Sequence, residues 1–252
     1  MVSKRVVGKS VKIQRKETKN YLSNFSAASI FTSLNASFFA FHHRLLRCVS
    51  RFFRATASSC IASKNGYKKL EKHNKKKRTI LLDLDETLVH STTQPPRGKI
   101  DFMVRIKIGS GIIPLFVVKR PGVNEFLKRI SEEFRVVVFT AGLEDYASQV
   151  LDKLDQNRVI SQRLYRDSCK EVNGKYVKDL SLVVGKDLGS VLMVDDNPFS
   201  YSFQPENGLP IKPFVDDMND RELMKLADFF EGCYRYEDMR DAVNEFLSKR
   251  PV

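Results

Sequence analysis

The chain has 252 residues, 42% of them hydrophobic, and carries 43 Lys and Arg against 30 Asp and Glu, a formal net charge of +13. The charge is lopsided: residues 1–78 hold 19 basic residues against two acids, Glu17 and Glu71, so the remainder, long enough for one sizeable core, is net −4. A slightly acidic folded part argues against a groove for DNA or RNA, and no direct nucleic-acid partner is expected.

The four cysteines, at 48, 60, 169 and 233, show no C-x-x-C pair and no metal-ligand spacing, which fits a reduced intracellular protein. From Lys19 to Arg44 no intervening residue is charged, yet Ser, Thr and Asn interrupt the stretch from Ser23 to Ser37, too often for a membrane span. Next, Arg44, Arg47, Arg51 and Arg54 define one helical face, with Phe38, Phe41, Leu45, Val49 and Phe52 opposite. The spacing predicts a basic amphipathic helix near 38–54 in an otherwise largely disordered extension, 1–78. Three readings stay open: contact with an anionic membrane surface, an organelle transit segment directing the chain to the mitochondrion, or a tail with accidental periodicity. The run "KKLEKHNKKKR", residues 68–78, reads either as a nuclear localisation patch or as a solvated linker.

The folded part begins with "TILLDL", residues 79–84, an apolar run of buried-strand length. Residues 101–118 alternate around Gly109-Ser110-Gly111 and predict a β-hairpin. Pro121 is expected to open a helix whose apolar positions Val123, Phe126, Leu127 and Ile130 share a face. "RVVVFTAG", residues 135–142, predicts a second buried strand, followed by a helix over about 143–154, a short hairpin at Asn173-Gly174 and a third strand in "SVLMVDDNP", residues 190–198. Helices over about 219–231 and 236–248 close the chain. Strands alternating with helices imply an α/β fold, a Rossmann-like parallel sheet with helices on both faces and a small β-hairpin insertion.

The stretch "LLDLDETLVH", residues 81–90, sets Asp83, Asp85 and Thr87 in alternation at the end of an apolar strand. Side chains two apart face the same way, and carboxylates brought together repel unless a cation sits between them. The three strands end in Asp83, Thr140 and Asp195-Asp196, so these residues are expected to meet at the sheet's carboxyl edge, where open α/β sheets bind ligands.

With those strand ends in view, residues 79–252 resemble the haloacid dehalogenase superfamily, and within it the small C-terminal-domain phosphatases that carry an FCP1-homology catalytic domain. The resemblance rests on "DLDETLVHS" from Asp83, "VVKRPGVNEFL" from Val117, "VVVFTAGLEDYA" from Val136, "LYRDSC" from Leu164, "YVKDLS" from Tyr176 and "VDDNPFSY" from Val194. It implies a Mg²⁺-dependent phosphatase with Asp83 as nucleophile, forming an aspartyl phosphate. It further implies Mg²⁺ held by Asp83, the backbone carbonyl of Asp85 and Asp196, with Asp85 as general acid and then base. Thr140 and Lys178 would bind the transferring phosphoryl group, Arg166 and Ala141 the substrate, while Asp195 would orient Lys178. Many relatives have Asp-Asn where this chain has Asp195-Asp196, so its site is more negative.

Only 56 residues separate Asp83 from Thr140, and a hairpin and one helix use most of them, so no large cap domain is expected. An open site favours a phosphoserine or phosphothreonine on a flexible protein segment, which can itself exclude water. The RNA polymerase II tail is one candidate, and with it the nucleus. Thr93 stands where relatives acting on that tail place an aromatic. A rival reading is a non-catalytic or weakly catalytic binding subunit of the same fold, resembling a mitochondrial inner-membrane import receptor; the full set of repelling carboxylates speaks for the enzyme.

Overall fold

A computed structural model describes residues 78–96 and 98–249. The expected helix near 38–54 and all but the last residue of the basic run lie outside them. Among the described residues, no helix is long and apolar enough to cross a membrane.

Five strands form a parallel sheet in the order β10 (Gly208–Pro210), β9 (Val191–Asp195), β1 (Thr79–Leu82), β5 (Arg135–Phe139), β6 (Ile160–Leu164). The alternation of the strand explains its two buried faces. Ile80, Leu82, Val136, Val138, Leu192 and Val194 point to one side; Leu81, Val137, Phe139, Val191 and Met193 point to the other. Each fully buried aliphatic side chain is worth roughly 1.5–3 kcal/mol, so a polar residue at any of them would cost more than loss of a surface contact.

The first face is covered by α1 (Val123–Glu133), α2 (Glu144–Leu154), α4 (Glu222–Gly232) and α5 (Met239–Ser248), which contribute Phe126, Leu151, Leu226 and Val243 among others. Among the described residues, the second face receives only the single turn α3 (Ser181–Val184) and 3₁₀ turns that bring Leu180, Val183 and Tyr201 onto it. Helices thus lie on both faces, unequally.

The expected hairpin is present as β3 (Phe102–Ile108) and β4 (Gly111–Lys119), and β2 (Val89–Thr92) adds a third antiparallel strand that the sequence pattern had not marked. The small hairpin β7 (Lys170–Val172) with β8 (Lys175–Val177) turns at Asn173 and Gly174, both at positive φ (52° and 75°), the geometry that two-residue hairpins favour. No large cap is inserted between Asp83 and Thr140.

Several bounds differ from expectation. Pro121 does not open α1: Gly122, at φ 78°, makes a left-handed turn before the helix starts at Val123, a conformation open to glycine without strain. The last two helices begin about three residues later than expected. Asp238 accepts from the Arg240 N–H at 2.9 Å and caps α5, while Asp220 accepts from the Glu222 N–H at 3.0 Å just ahead of α4.

Candidate active site

Asp83 is the first residue beyond β1, and its N–H donates to the Val194 carbonyl at 2.9 Å, carrying the β1–β9 ladder one step past the strand. From β1 the chain winds outward through β5 and β6, then returns to the other side of β1 to form β9 and β10. The carboxyl ends of β1 and β9 therefore flank the point where the winding reverses, the position at which such sheets form a crevice. Asp83 comes from one lip of it and Asp195 and Asp196 from the other. Thr140, directly after β5, is fixed by its N–H donating to the Leu164 carbonyl at 2.9 Å.

Asp83, Asp195 and Asp196 each place one carboxylate oxygen within 4.8 Å of the others. Between two of them sits Lys178, 1% exposed, whose Nζ donates to Asp83 Oδ1 at 2.5 Å and Asp195 Oδ2 at 2.6 Å. The second oxygen of Asp195 accepts from the Asn197 N–H at 2.8 Å, so both of its oxygens are engaged. Burial by itself would lower Lys178, but Asp195 and Asp83 outweigh it and hold the ammonium above its ordinary range. Burial pushes Asp83 well above the usual carboxylate range, Lys178 opposing and the neighbouring carboxylates reinforcing the rise. Asp196 is pushed up to about 7 by burial, then by Asp195 and Glu86.

One ammonium against three carboxylates leaves an excess of negative charge. The donors are hard oxygens, without His or Cys, and this set fits a hard divalent cation such as Mg²⁺. The carboxylate of Asp85 is not in the group. It accepts a hydrogen bond from the Tyr146 hydroxyl, and the Ser91 Oγ lies 2.6 Å from that same hydroxyl. Burial, then Asp85, push the Tyr146 phenol well above its ordinary value, so it stays a donor.

The loop between β1 and β2 is tightly closed. Leu88 and Val89 N–H groups both donate to the Leu84 carbonyl, at 2.9 and 3.1 Å, and Glu86 takes a left-handed φ of 60°. Glu86 Oε1 meets His90 Nδ1 at 2.9 Å, and burial pushes the Glu86 carboxyl up to about 7. Beneath the loop, Arg120 donates to the Thr87 carbonyl at 3.1 Å.

On the other side of the crevice, Thr140 Oγ1 accepts from the Gly142 N–H at 2.9 Å. Arg166 is anchored beside it: Nε donates to the Ala141 carbonyl at 2.7 Å, its N–H donates to the Gly142 carbonyl at 3.0 Å, and its guanidinium lies over the Tyr176 ring, 4.9 Å from the centroid. A side chain at Gly142 would put Cβ 3.2 Å from Thr140 Oγ1 and 3.5 Å from Asp85 Oδ2, so glycine leaves the approach between these groups open.

The expected residues thus fall into two linked sets: Asp83, Lys178, Asp195 and Asp196 in one, and Asp85, Thr140, Ala141 and Arg166 around Gly142 in the other. Sequence reasoning missed Tyr146, Ser91, Glu86 and Tyr176. A signal for Tyr146 existed: it lies four residues after Gly142 in the first turn of α2, where helical side chains lean back toward the N-terminus and so toward the strand end.

Residues 78–240 match the family model described as NLI interacting factor-like phosphatase. The "Probable C-terminal domain small phosphatase" of Dictyostelium discoideum is 49% identical over 168 residues, covering 67% of this chain and 54% of the relative. The human "CTD small phosphatase-like protein" is 44% identical over 173 residues, covering 69% of this chain and 62% of the relative. The human "Carboxy-terminal domain RNA polymerase II polypeptide A small phosphatase 2" is 39% identical over 201 residues, covering 80% of this chain and 72% of the relative. The chain spans between about half and three-fifths of the length of the first two of these relatives. These comparisons lend no support to the import-subunit reading. With the match extending from Arg78 to Arg240 and so containing every residue of both sets, the chain belongs to the NLI interacting factor-like phosphatase family.

Proposed function

We propose that the chain is a Mg²⁺-dependent protein serine/threonine phosphatase that works through an aspartyl phosphate on Asp83. The observation that carries this reading is the placement of Asp83 at the switch point of the sheet, bonded to a buried Lys178 and gathered with Asp195 and Asp196. Asp83, Asp196 and the Asp85 backbone carbonyl would hold Mg²⁺. When bound, the ion supplies positive charge that lets a carboxylate and a phosphate monoester approach each other.

An Asp83 carboxylate oxygen attacks phosphorus, and the bond from phosphorus to the serine or threonine oxygen breaks. Asp85 gives its proton to that leaving oxygen. Lys178 and Thr140 bind the phosphoryl oxygens in flight, and Asp195 holds the ammonium in place. Asp85 then takes a proton from water as it attacks the phosphorus of the intermediate, releasing inorganic phosphate and restoring Asp83. Arg166 and the Ala141 backbone border the bound substrate. Among the described residues no cap domain covers the site, which favours a phosphorylated segment of another protein. The name of the human relative acting on the RNA polymerase II polypeptide makes that tail a candidate substrate and the nucleus a candidate compartment.

The test is phosphate release from a phosphoserine peptide by the full chain, in Mg²⁺ and in EDTA, beside Asp83→Asn. Turnover lost in EDTA and in the variant is expected. Equal turnover by wild type and Asp83→Asn would overturn the proposal.

A further inference from the structure

Tyr146 and Ser91 have no part in the chemistry just described, yet three separate elements converge through them. Tyr146 comes from the first turn of α2, Ser91 from β2, and Asp85 from the loop after β1. The Tyr146 hydroxyl donates to Asp85 Oδ1, and Ser91 Oγ sits 2.6 Å from the same hydroxyl. A phenol has one proton. Having given it to Asp85, Tyr146 can only accept from Ser91, so the chain of donors runs from Ser91 through Tyr146 to Asp85.

We propose that Ser91 and Tyr146 form a hydrogen-bonded prop that positions the Asp85 carboxyl for proton transfer to the leaving oxygen, with Tyr146 acting as a positioning residue. The inference rests on the phosphatase reading above. With Oδ1 accepting from Tyr146, the proton that Asp85 gives away sits on Oδ2. That oxygen faces the Gly142 side, where a Cβ would come within 3.5 Å of Oδ2 and 3.2 Å of Thr140 Oγ1. Oδ2 and Thr140 therefore border one approach, which is where the leaving oxygen of a phosphoryl group held by Thr140 must be. A carboxyl's terminal torsion is broad and two-fold, and the hydrogen bond from Tyr146 to Oδ1 favours the setting that leaves Oδ2 on that approach before substrate arrives. The prop also ties the acid to β2, and through β2 to the three-stranded sheet beside the site.

The test uses Tyr146→Phe, which deletes only the hydroxyl, and Ser91→Ala, which deletes the donor behind it. Each is assayed in Mg²⁺ on a phosphoserine peptide, whose alkoxide leaves only with a proton, and on p-nitrophenyl phosphate, whose phenolate leaves unaided. Misplacing a reacting group by about 1 Å costs up to about 10²-fold, so kcat of Tyr146→Phe on the peptide is expected to fall about 10- to 100-fold. In the first turnover of the aryl phosphate, before water attacks the intermediate, nitrophenolate release should change less than about 3-fold, because that step needs no acid. Ser91→Ala should show the same selectivity with a smaller loss, and it supplies the answer if Tyr146→Phe does not fold. Equal losses on both substrates would reduce Tyr146 to packing, and no loss on either would remove it from the mechanism; both overturn the inference. Wild-type protein inactive on both substrates overturns the phosphatase reading itself, and this inference with it.

Discussion

Replacing Arg120 with Met should destabilise the protein by a large and pH-dependent amount. The Arg120 side chain is 0% exposed and lies between β4 and α1. Its Nε and Nη2 donate to the two oxygens of Asp220 at 2.8 and 2.7 Å, Nη2 also reaches the Lys212 carbonyl at 2.8 Å, and Nη1 reaches the Thr87 carbonyl at 3.1 Å. Phe214 covers the guanidinium, its ring centroid 5.6 Å away. Met fills similar space but leaves a carboxylate and two carbonyls without this donor. Removing one partner of a buried pair costs about 3–5 kcal/mol. At about 2–4 °C per kcal/mol for a domain of this size, Tm should fall by about 6–20 °C in a thermal melt followed by circular dichroism. Burial would raise Asp220, but Arg120 and the Glu222 N–H prevail and hold it below its ordinary value. The stability from this pair is therefore present above the ordinary aspartate pKa and lost as pH falls through the lowered folded value, so the deficit of the variant should shrink as the pH is taken below the ordinary aspartate range. Adding Asp220→Leu should recover part of the loss by removing the stranded carboxylate. A Tm loss under about 3 °C, unchanged between neutral and acid pH, would refute the reasoning.

Three further outcomes are expected. Asp83 and Asp196 are raised by burial and by repulsion from neighbouring carboxylates, so the stability tied to their protonated forms is present below the ordinary aspartate pKa and lost as pH rises to about 7 for Asp196. Mg²⁺ relieves that repulsion and needs deprotonated ligands, so its gain in Tm should be larger at pH 7.5 than at pH 5; equal gains would contradict the metal site. Gly142→Ala places a methyl 3.2 Å from Thr140 Oγ1 and 3.4 Å from the Tyr146 ring, and should lower phosphopeptide kcat by about 10-fold or more with Tm largely kept, as steady-state assays and melts on one preparation will tell. Asp85→Asn should cost about 10²- to 10⁴-fold on a phosphoserine peptide and far less in the first turnover of an aryl phosphate. Matching losses together with lost Mg²⁺ binding would make Asp85 chiefly a ligand.

What could be read from the sequence follows a physical pattern. β1, β5 and β9 are buried on both faces, so each appears as an uninterrupted apolar run, and the residues ending those runs, Asp83, Thr140, Asp195 and Asp196, were legible with them. β6 lies at the sheet edge and is only half-buried, so Ser161, Gln162 and Arg163 break its apolar pattern and hide it. β10 has three residues, too few for any period to show. Long-range polar contacts were hidden for another reason. Arg120 meets partners 33, 92 and 100 positions away, and Tyr146 meets Asp85 61 positions away. Only the topology brings these together. A tyrosine in the first turn of an amphipathic helix otherwise reads as core.

The central claim is that Asp83 carries the phosphoryl group, and its most direct test is to catch that group in place. Asp85→Asn, which retains the backbone carbonyl but cannot activate water, is mixed with p-nitrophenyl phosphate and Mg²⁺, quenched in acid within one turnover and mapped by tandem mass spectrometry. The account predicts an acid-stable, base-labile phosphoryl adduct on Asp83, absent when Mg²⁺ is withheld. An adduct on any other residue, or none while the burst of nitrophenolate persists, would contradict it.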